Sequence, residues 1–459
     1  MAAPKLPASG EREKSMDHAV SENTAVQAQL DRLWKLSPGA DILGLERITL
    51  LLDRLGNPQD RLPPVFHVAG TNGKGSTCAF LRTALEAAGY TVHAYTSPHL
   101  VRFNERIRIA GRLVDDTLLA ALLEEVLDAG GDIGASFFEV TTATAFLAFA
   151  RTQADACVIE VGLGGRLDAT NIIAHPLVTG IAQLGIDHQS FLGDTAVGIA
   201  GEKAGIAKPG VALVTMAYEP DSATRVAAVA MQAGAHVLAL GTGWHMQTDA
   251  STLRYDDAGG TVETPLPAMA GPHQPGNLAL AIAMLRHQTV LTIPTEAYTT
   301  AARDTRWPAR MQRLHPGPLV DLLPPGSQLW LDGGHNPAAA GAIAATLRAI
   351  ANPGVGRSEV HLVLGMLANK DPEGLLTPFA GIATTLHAVP ISRHEHHAPA
   401  TLAATGHALG IATHMASDVA SALRDIAEIV DQAEPPIVLV LGSLYLAGEV
   451  LLANGELPD

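Results

Sequence analysis

The sequence predicts an α/β protein built on parallel sheets, in two bodies that divide near Thr300. Three observations predict it. From about residue 63 onward, short β-branched runs alternate with helical patterns that end in glycine, as successive strand–helix–strand units do. A glycine-rich turn joins the first of those strands to the first of those helices. After TTAARDTRWPARMQRL at 299–314, a fresh series of strand-like runs begins.

The first unit is the clearest. VFHVA at 65–69 is an apolar run, and STCAFLRTALEAAG beyond the turn sets Leu81, Ala84, Leu85 and Ala88 at helical spacing before Gly89 ends it. TVHAYTS at 91–97 reads as the next strand. Helices are expected at 118–131 and 141–153, and strands at 157–162 and 178–185. ATRVAAVAMQAG then reads as a helix and HVLAL as a strand. The segment 241–265 turns polar and carries the turn signal DDAGG, so a hairpin is expected there, followed by a helix led by Gly276 and Asn277. Beyond the boundary, LWLDGG, HLVLGML, LHAVP and IVLVLGS are strand-like. The expected division is a mobile tail at 1–25, a first body at 26–300 and a second at 301–459. No short-period repeat occurs in the sequence, which sets aside solenoids and propellers.

A chain of 459 residues is too long for one ordinary core, and 47% hydrophobic with 17% charged residues suits a globular protein. Thirty basic against 46 acidic residues give a net charge of −16, which disfavours nucleic acid and anionic membrane as partners. No apolar run approaches the ~20 residues needed to cross a bilayer, and the charged N-terminal stretch is no signal sequence. A soluble cytoplasmic chain is expected. Cys78 and Cys157 each lie in an apolar run and read as small buried residues rather than a disulfide.

HVAGTNGKGST at 67–77 carries the chemistry. Successive backbone N–H groups in a glycine turn at a helix N-terminus bind phosphate, and a lysine there adds a point charge. Gly70, Thr71, Asn72, Gly73, Lys74, Gly75, Ser76 and Thr77 offer both. The strict Walker pattern requires glycine at 68 and Ser or Thr at 75, where this chain has Val68 and Gly75. The strand–turn–helix context holds, and alone it supports nucleotide binding and nothing more.

GTNGKGS, with TSPHL at 96–100, EVGLGGRLDATN at 160–171 and GIDH at 185–188, resembles the folylpolyglutamate synthase and dihydrofolate synthase branch of the Mur ligases. The resemblance continues through EKAGI (202–206), GPHQPGNLALA (271–281), LDGGHNP (331–337) and GSLYLAGE (442–449), and covers nearly everything after the tail. It implies a Mur-ligase-like phosphate-loop ATPase domain at 26–300, a smaller Rossmann-like glutamate ligase domain at 301–459, and a reaction in the cleft between them. The implied reaction joins the amine of L-glutamate to a carboxylate on a pterin-containing acceptor and splits ATP to ADP and phosphate. A carboxylate is a poor electrophile, so the γ-phosphoryl group is first transferred to it and the amine attacks the acyl phosphate. Catalysis is then mainly positioning and charge neutralisation.

The resemblance assigns roles residue by residue. Lys74 serves the transferring phosphates, while Thr71, Asn72, Gly73, Gly75, Ser76 and Thr77 cradle them. Ser97, Glu160 and His188 match positions that hold magnesium, each at or just beyond an expected strand end. His188 by itself would point to another metal, because magnesium prefers oxygen. Lys203 matches a lysine that is carbamylated in the family and becomes an anionic oxygen donor near a second magnesium; that chemistry needs a neutral amine. Lys74, Lys203 and His188 are thus implied in catalysis. Asn277 and Arg310 match nucleotide contacts, although the family's PGR is here Pro308, Ala309 and Arg310, and alanine lacks glycine's freedom. Asp332, His335 and Asn336 match a second-domain motif that meets ribose and phosphates, with Gly334 in place of the common alanine. Lys370 and Asp371 align with a DKD element whose first acid is replaced by Asn369. The run Arg393, His394, Glu395, His396, His397 invites a metal reading, but adjacent histidines lack the spacing of a closed site.

DILGLERI at 41–48, SFFEVTTATA from Ser136, and Arg166 with Asp168 resemble the members that have a dihydropteroate pocket. Phe138 would stack on the flat pterin and Arg166 and Asp168 would be its polar partners, with plain core packing of Phe138 as the competing reading. The implied enzyme acts on dihydropteroate and on reduced folates, uses ATP and two Mg2+, and leaves room for a monovalent cation. A folylpolyglutamate synthase alone is one alternative. A UDP-muramoyl peptide ligase is another, although such enzymes carry a further N-terminal domain and only about 60 residues precede this loop. Lys74, Glu160, His188 and Lys203 together argue against a regulatory protein without chemistry, and the acidic charge argues against a nucleic-acid motor. Small-molecule partners and a monomer are expected.

Overall fold

The computed structural model describes residues 20–36, 43–351, 358–431 and 434–459. Most of the expected tail, and Asp41 and Ile42 of DILGLERI, lie outside the described residues. The end of that tail is corrected: helix α1 (Thr24–Leu36) begins inside it. Asn23 Oδ1 accepts the N–H groups of Ala25 and Val26 at 3.0 and 3.2 Å, a cap on the first turn, and Val26, Leu30 and Leu33 are fully buried.

The first body continues with α2 (Glu46–Arg54), β1 (Val65–Ala69), α3 (Lys74–Ala87), β2 (Val92–Tyr95), β3 (Ile107–Ile109), β4 (Arg112–Leu113), α4 (Asp116–Gly130) and α5 (Phe137–Arg151). Then come β5 (Ala156–Glu160), β6 (Val178–Ile181), α6 (Gln189–Leu192), α7 (Ala196–Ala204), β7 (Ala212–Thr215), α8 (Pro220–Ala233) and β8 (His236–Ala239). The eight strands form one sheet in the order β4-β3-β2-β5-β1-β6-β7-β8, parallel from β2 to β8 with an antiparallel edge. β1 and β5 are buried along their whole length because helices cover both faces, which is why they read as unbroken apolar runs. One face packs Leu30, Leu51, Leu123 and Phe146 of α1, α2, α4 and α5 around Tyr95 and Ile159. The other packs Leu81 of α3 against Phe66, Val68 and Val158.

The expected hairpin is corrected to a three-stranded antiparallel sheet of β9 (Trp244–Thr248), β10 (Thr252–Asp257) and β11 (Gly260–Pro265). DDAGG makes the second turn. The first is made by Asp249, whose carboxylate accepts the N–H groups of Ser251 and Thr252, both at 2.8 Å. Trp244, Leu253 and Tyr255 pack this sheet on α9 (Gln274–Arg286). Helix α10 (Thr295–Asp304) lies on α3, so the division expected near Thr300 falls within a helix that packs with the first sheet.

The remaining chain forms a second sheet from β12 (Gln312–Arg313), β13 (Gln328–Leu331), β14 (Val360–Leu364), β15 (Thr385–Ala388), β16 (Ala412–Met415) and β17 (Ile437–Leu441). Their order is β12-β13-β17-β14-β15-β16, parallel except for β12. Helices α11 (Pro337–Ala351), α12 (Pro372–Leu376), α13 (Pro399–Ala408), α14 (Val419–Ile429) and α15 (Leu444–Asn454) cover its two faces. Gly448 on α15 lies directly against the Leu100 carbonyl, in the loop after β2, so the bodies touch where there is no room for a side chain.

Two glycine substitutions therefore have opposite signs. Gly448→Ala would push the Leu100 carbonyl away and lower the unfolding free energy by about 1–3 kcal/mol. Gly341→Ala, in α11 with nothing near its Cβ, raises it by about 0.5–1 kcal/mol. Denaturant titration reads both.

Candidate active site

The phosphate loop links β1 to α3 and is shaped by close approaches. Gly70 (φ 150°) has Ala182 where a Cβ would sit, and at Gly73 (φ 85°) a Cβ would lie 2.5 Å from Asn277 Oδ1. The residues beyond β6 wrap onto the loop: Thr71 and Asn72 donate to the Gln183 carbonyl at 2.9 and 3.1 Å, and Thr71 Oγ1 bonds the Gly185 carbonyl at 2.9 Å. The strand expected to run to Gly185 ends at Ile181 for this reason. Gly75 also finds its explanation, because a Cβ there would lie 2.6 Å from Trp307 Nε1. The indole occupies the space that the hydroxyl residue of the strict motif would need. Ser76 and Thr77 enter the buried first turn of α3, with Gln274 Nε2 3.5 Å from Ser76 Oγ.

Lys74 Nζ donates to the Gly70 and Thr71 carbonyls at 3.1 and 3.4 Å, and Lys203 Nζ, from α7, donates to the same Gly70 carbonyl at 2.9 Å. Lys203 is only 4% exposed. Burial, reinforced by the charge of Lys74, pushes its ammonium down to about 7, so a substantial share is neutral amine near pH 7. His188 caps α6 in a left-handed conformation, φ 53° and ψ 40°. Although His188 keeps an exposed surface, desolvation by its neighbours pushes its imidazole down to about 4, with Asp187 opposing and Lys370, Lys74 and Lys203 assisting. It is therefore neutral at physiological pH and free to offer a lone pair.

Across the loop, the Ser97 N–H donates to Glu160 Oε2 at 3.3 Å. Glu160 is buried at the end of β5; burial raises its carboxyl, while Lys74, the Ser97 N–H and Arg310 pull it back. A carboxylate, a hydroxyl and a neutral imidazole are donors that a divalent cation accepts. Among the described residues, no three His, Cys, Asp or Glu groups converge to hold a metal by themselves. Ser97 and Glu160 stand together at one hydrogen bond, and a carboxylate with a hydroxyl is oxygen chemistry that Mg2+ accepts beside water and phosphate oxygens.

The second body contributes from the ends of β13 and β14. Asp332 spends its carboxylate on backbone, accepting from Met311 at 2.7 Å and Gly334 at 2.6 Å. This clamps the loop in which Ala309 (φ 53°) and Met311 (φ 41°) are both left-handed. Ala309 thus keeps the conformation that glycine would adopt freely. Arg310 lies in the cavity beside Ser97 and Glu160. His335 Nε2 reaches Asp187 at 3.4 Å, and Asn336 contacts both Asn72 and Asp187, at 3.2 and 3.3 Å. Asn277 is buried beneath the loop, bonded to Gln274 at 3.0 Å.

The segments assigned to the acceptor meet on the other sheet face. Arg47 of DILGLERI pairs with Glu139 of SFFEV at 2.9 Å, and Ser136 with Glu139 forms a capping box that starts α5. The half-buried Phe138 ring lies against Gly162, where a side chain would overlap it, and tilts on Tyr95 with centroids 5.9 Å apart. Asp168 is buried and bonded within its own loop, to the N–H groups of Leu163 and Thr170. Arg166 turns instead to Glu202, at 3.0 Å. Phe138 and Asp168 thus meet around Gly162 and Tyr95, while Arg166 is held by Glu202.

Sequence reasoning missed Asp187, Trp307 and Gln274. Asp187 accepts Lys370 Nζ at 2.7 Å; although burial alone would raise it, the His335 hydrogen bond and the charges of His188, Lys370 and His335 hold its carboxyl well below the usual range. Asp371 caps α12. In the histidine run, His394 stacks on Tyr445, His396 Nδ1 lies 2.7 Å from the His394 carbonyl, and His397 Nε2 lies 2.8 Å from that of Lys370.

Residues 319–444 match the family model described as Mur ligase, glutamate ligase domain. The chain is 36% identical over 353 residues to the dihydrofolate synthase/folylpolyglutamate synthase of Escherichia coli K12, covering 76% of this chain and 78% of that one. It is 35% identical over 370 residues to the Bacillus subtilis 168 protein of the same name, covering 75% and 80%. E. coli FolC in complex with DHPP and ADP matches its fold with a TM-score of 0.82 at 33% identity, over 93% of this chain and 97% of that one. A bifunctional folylpolyglutamate synthase/dihydrofolate synthase with Mn, AMPPNP and L-glutamate bound matches with a TM-score of 0.81 at 30% identity, over 93% and 97%.

The Trp307 contact predicts that Gly75→Ser, which moves the loop toward the strict motif, weakens ATP binding by about tenfold or more. Calorimetric titration checks this, and Trp307→Ala in the same background recovers affinity.

Proposed function

The chain belongs to the dihydrofolate synthase/folylpolyglutamate synthase family, and from that premise we propose that it ligates L-glutamate, at the expense of ATP, to dihydropteroate and to reduced folates. The observation that carries this reading is the pair of ammonium groups, Lys74 and Lys203, on the Gly70 carbonyl at the mouth of the phosphate loop. Ser97 and Glu160 flank it, and the second body's His335 and Asn336 face it. The bodies divide the work: the first, which includes α1 and α10, would hold the phosphates and the acceptor, and the second would close over them as the glutamate ligase domain. The protein acts as a cytoplasmic monomer on small molecules, without nucleic acid or membrane; among the described residues no helix is long and apolar enough to cross a bilayer.

The α3 N-terminus with Thr71, Asn72, Gly73, Gly75, Ser76 and Thr77 would hold the phosphates, and Lys74 would offset charge on the transferring group. Asn277, Arg310, Asp332, His335 and Asn336 would complete the nucleotide site. A carboxylate oxygen of the acceptor attacks the γ-phosphorus and ADP leaves. The glutamate amine then attacks the acyl carbon, sheds a proton, and expels phosphate that retains the carboxylate oxygen. Ser97, Glu160 and His188 would hold one Mg2+ and carbamylated Lys203 would face a second; the ions supply charge neutralisation at the phosphates. A monovalent cation is a further component of this reading. Phe138, Arg166 and Asp168 would receive the pterin, with Arg166 released from Glu202.

The test is ADP release by the purified protein with ATP, Mg2+ and glutamate. Dihydropteroate and tetrahydrofolate both support turnover and UDP-muramoyl peptides do not; consumption of tetrahydrofolate alone would remove the first activity. The Lys203 amine also sets a pH dependence. Below its pKa of about 7 the ammonium form dominates and cannot take up CO2, so carbamate is lost as pH falls. Bicarbonate-dependent turnover should then drop about tenfold per pH unit below 7, with the 13C carbamate signal disappearing in parallel.

A further inference from the structure

The left-handed backbone of His188 is held from one side chain away. Its N–H donates to Asp187 Oδ1 at 2.8 Å, in a conformation that residues with a Cβ adopt rarely. The same oxygen accepts Lys370 Nζ at 2.7 Å, while Oδ2 takes Asn336 Nδ2 at 3.3 Å and faces His335 Nε2 at 3.4 Å. Asp187 lies in the first body, on the chain that wraps the phosphate loop. Lys370, His335 and Asn336 all lie in the second, beyond β13 and β14. The Asp187 and Lys370 side chains are only 12% and 15% exposed, so the pair is largely removed from water.

We propose that Asp187 is a positioning residue: its one carboxylate ties the closing of the second body over the phosphate loop to the backbone that sets the His188 imidazole. This rests on the reading of His188 as a metal ligand. When the second body is apart, the carboxylate loses three donors, water replaces them, and the His188 N–H must compete for its acceptor. When the body closes, the carboxylate is fixed by Lys370, His335 and Asn336, and His188 is fixed with it. Substituting a group that orients a metal-ligating residue typically costs about 10–100-fold in metal affinity. Metal binding and closure then favour each other, because each is paid for by the same contacts.

The two ends of this tie can be separated experimentally. Lys370 sits across the cleft as a cation 2.7 Å from Asp187, the neighbour of His188 in the chain. If its role were electrostatic alone, Lys370→Met would remove a cation and tighten divalent-metal binding. The positioning role has the opposite sign. Mn2+ affinity is measured by EPR titration with a non-hydrolysable ATP analogue present, folding of each variant being checked by circular dichroism. Lys370→Met and Asp187→Asn each weaken Mn2+ binding about tenfold, and Lys370→Arg stays within about twofold of the unsubstituted protein. Unchanged or tighter Mn2+ binding in Lys370→Met overturns the proposal. Failure of the unsubstituted protein to bind Mn2+ with nucleotide overturns instead the metal reading beneath it.

Discussion

One carbonyl, that of Gly70, accepts two ammonium groups, and the cleft is arranged around the positive charge this gathers. Lys74 and Lys203 reach it at 3.1 and 2.9 Å, from α3 and α7. A buried cation beside a second, half-buried one is costly without anions, and burial of an unpaired charge is resolved either by a partner or by loss of the proton. Lys203 takes the second course, its pKa falling to about 7. Glu160, Asp168 and Asp187 surround the pair but each is already bonded to backbone or to another side chain. A polyphosphate at the α3 N-terminus is the anion that would complete this balance.

The same economy of contacts explains the departures from the strict phosphate-loop motif. Trp307 arrives from the chain beyond α10 and covers Gly75, so the interbody linker itself forms part of the loop's wall. Asn277 and Gln274 of α9 support the loop from below. Ala309 and Met311 accept left-handed conformations because Asp332 holds both sides of that turn, spending a buried carboxylate to keep Arg310 facing the cleft. Strain in the linker is thus balanced within the second body.

Much of the fold was legible because buried parallel strands advertise themselves. β1 is bounded by the sequence pattern at the residues the structure shows, Val65–Ala69. What periodicity could not reveal were side-chain-made turns and caps: Asp249 adds a strand to the expected hairpin, and Asn23 starts a helix within the expected tail. In the site, Lys74 and Lys203 share the Gly70 carbonyl and the Ser97 N–H bonds Glu160, contacts between motifs that the sequence shows only as separate segments. Asp187 was hidden because its partners lie some 150 to 180 residues away in the second body, at Asn336 and Lys370. No local pattern encodes a contact of that range. Arg166 was legible as a charge, but its pairing with Glu202 was not.

The central claim is that this cleft activates a carboxylate by phosphorylating it, and oxygen transfer tests that most directly. Dihydropteroate labelled with 18O in its carboxylate is turned over with ATP, Mg2+ and glutamate, and the released phosphate is examined by mass spectrometry. Attack of the carboxylate on the γ-phosphorus predicts one 18O in each phosphate formed. Phosphate released at the full rate without label would show that ATP is hydrolysed by water, and would contradict the account.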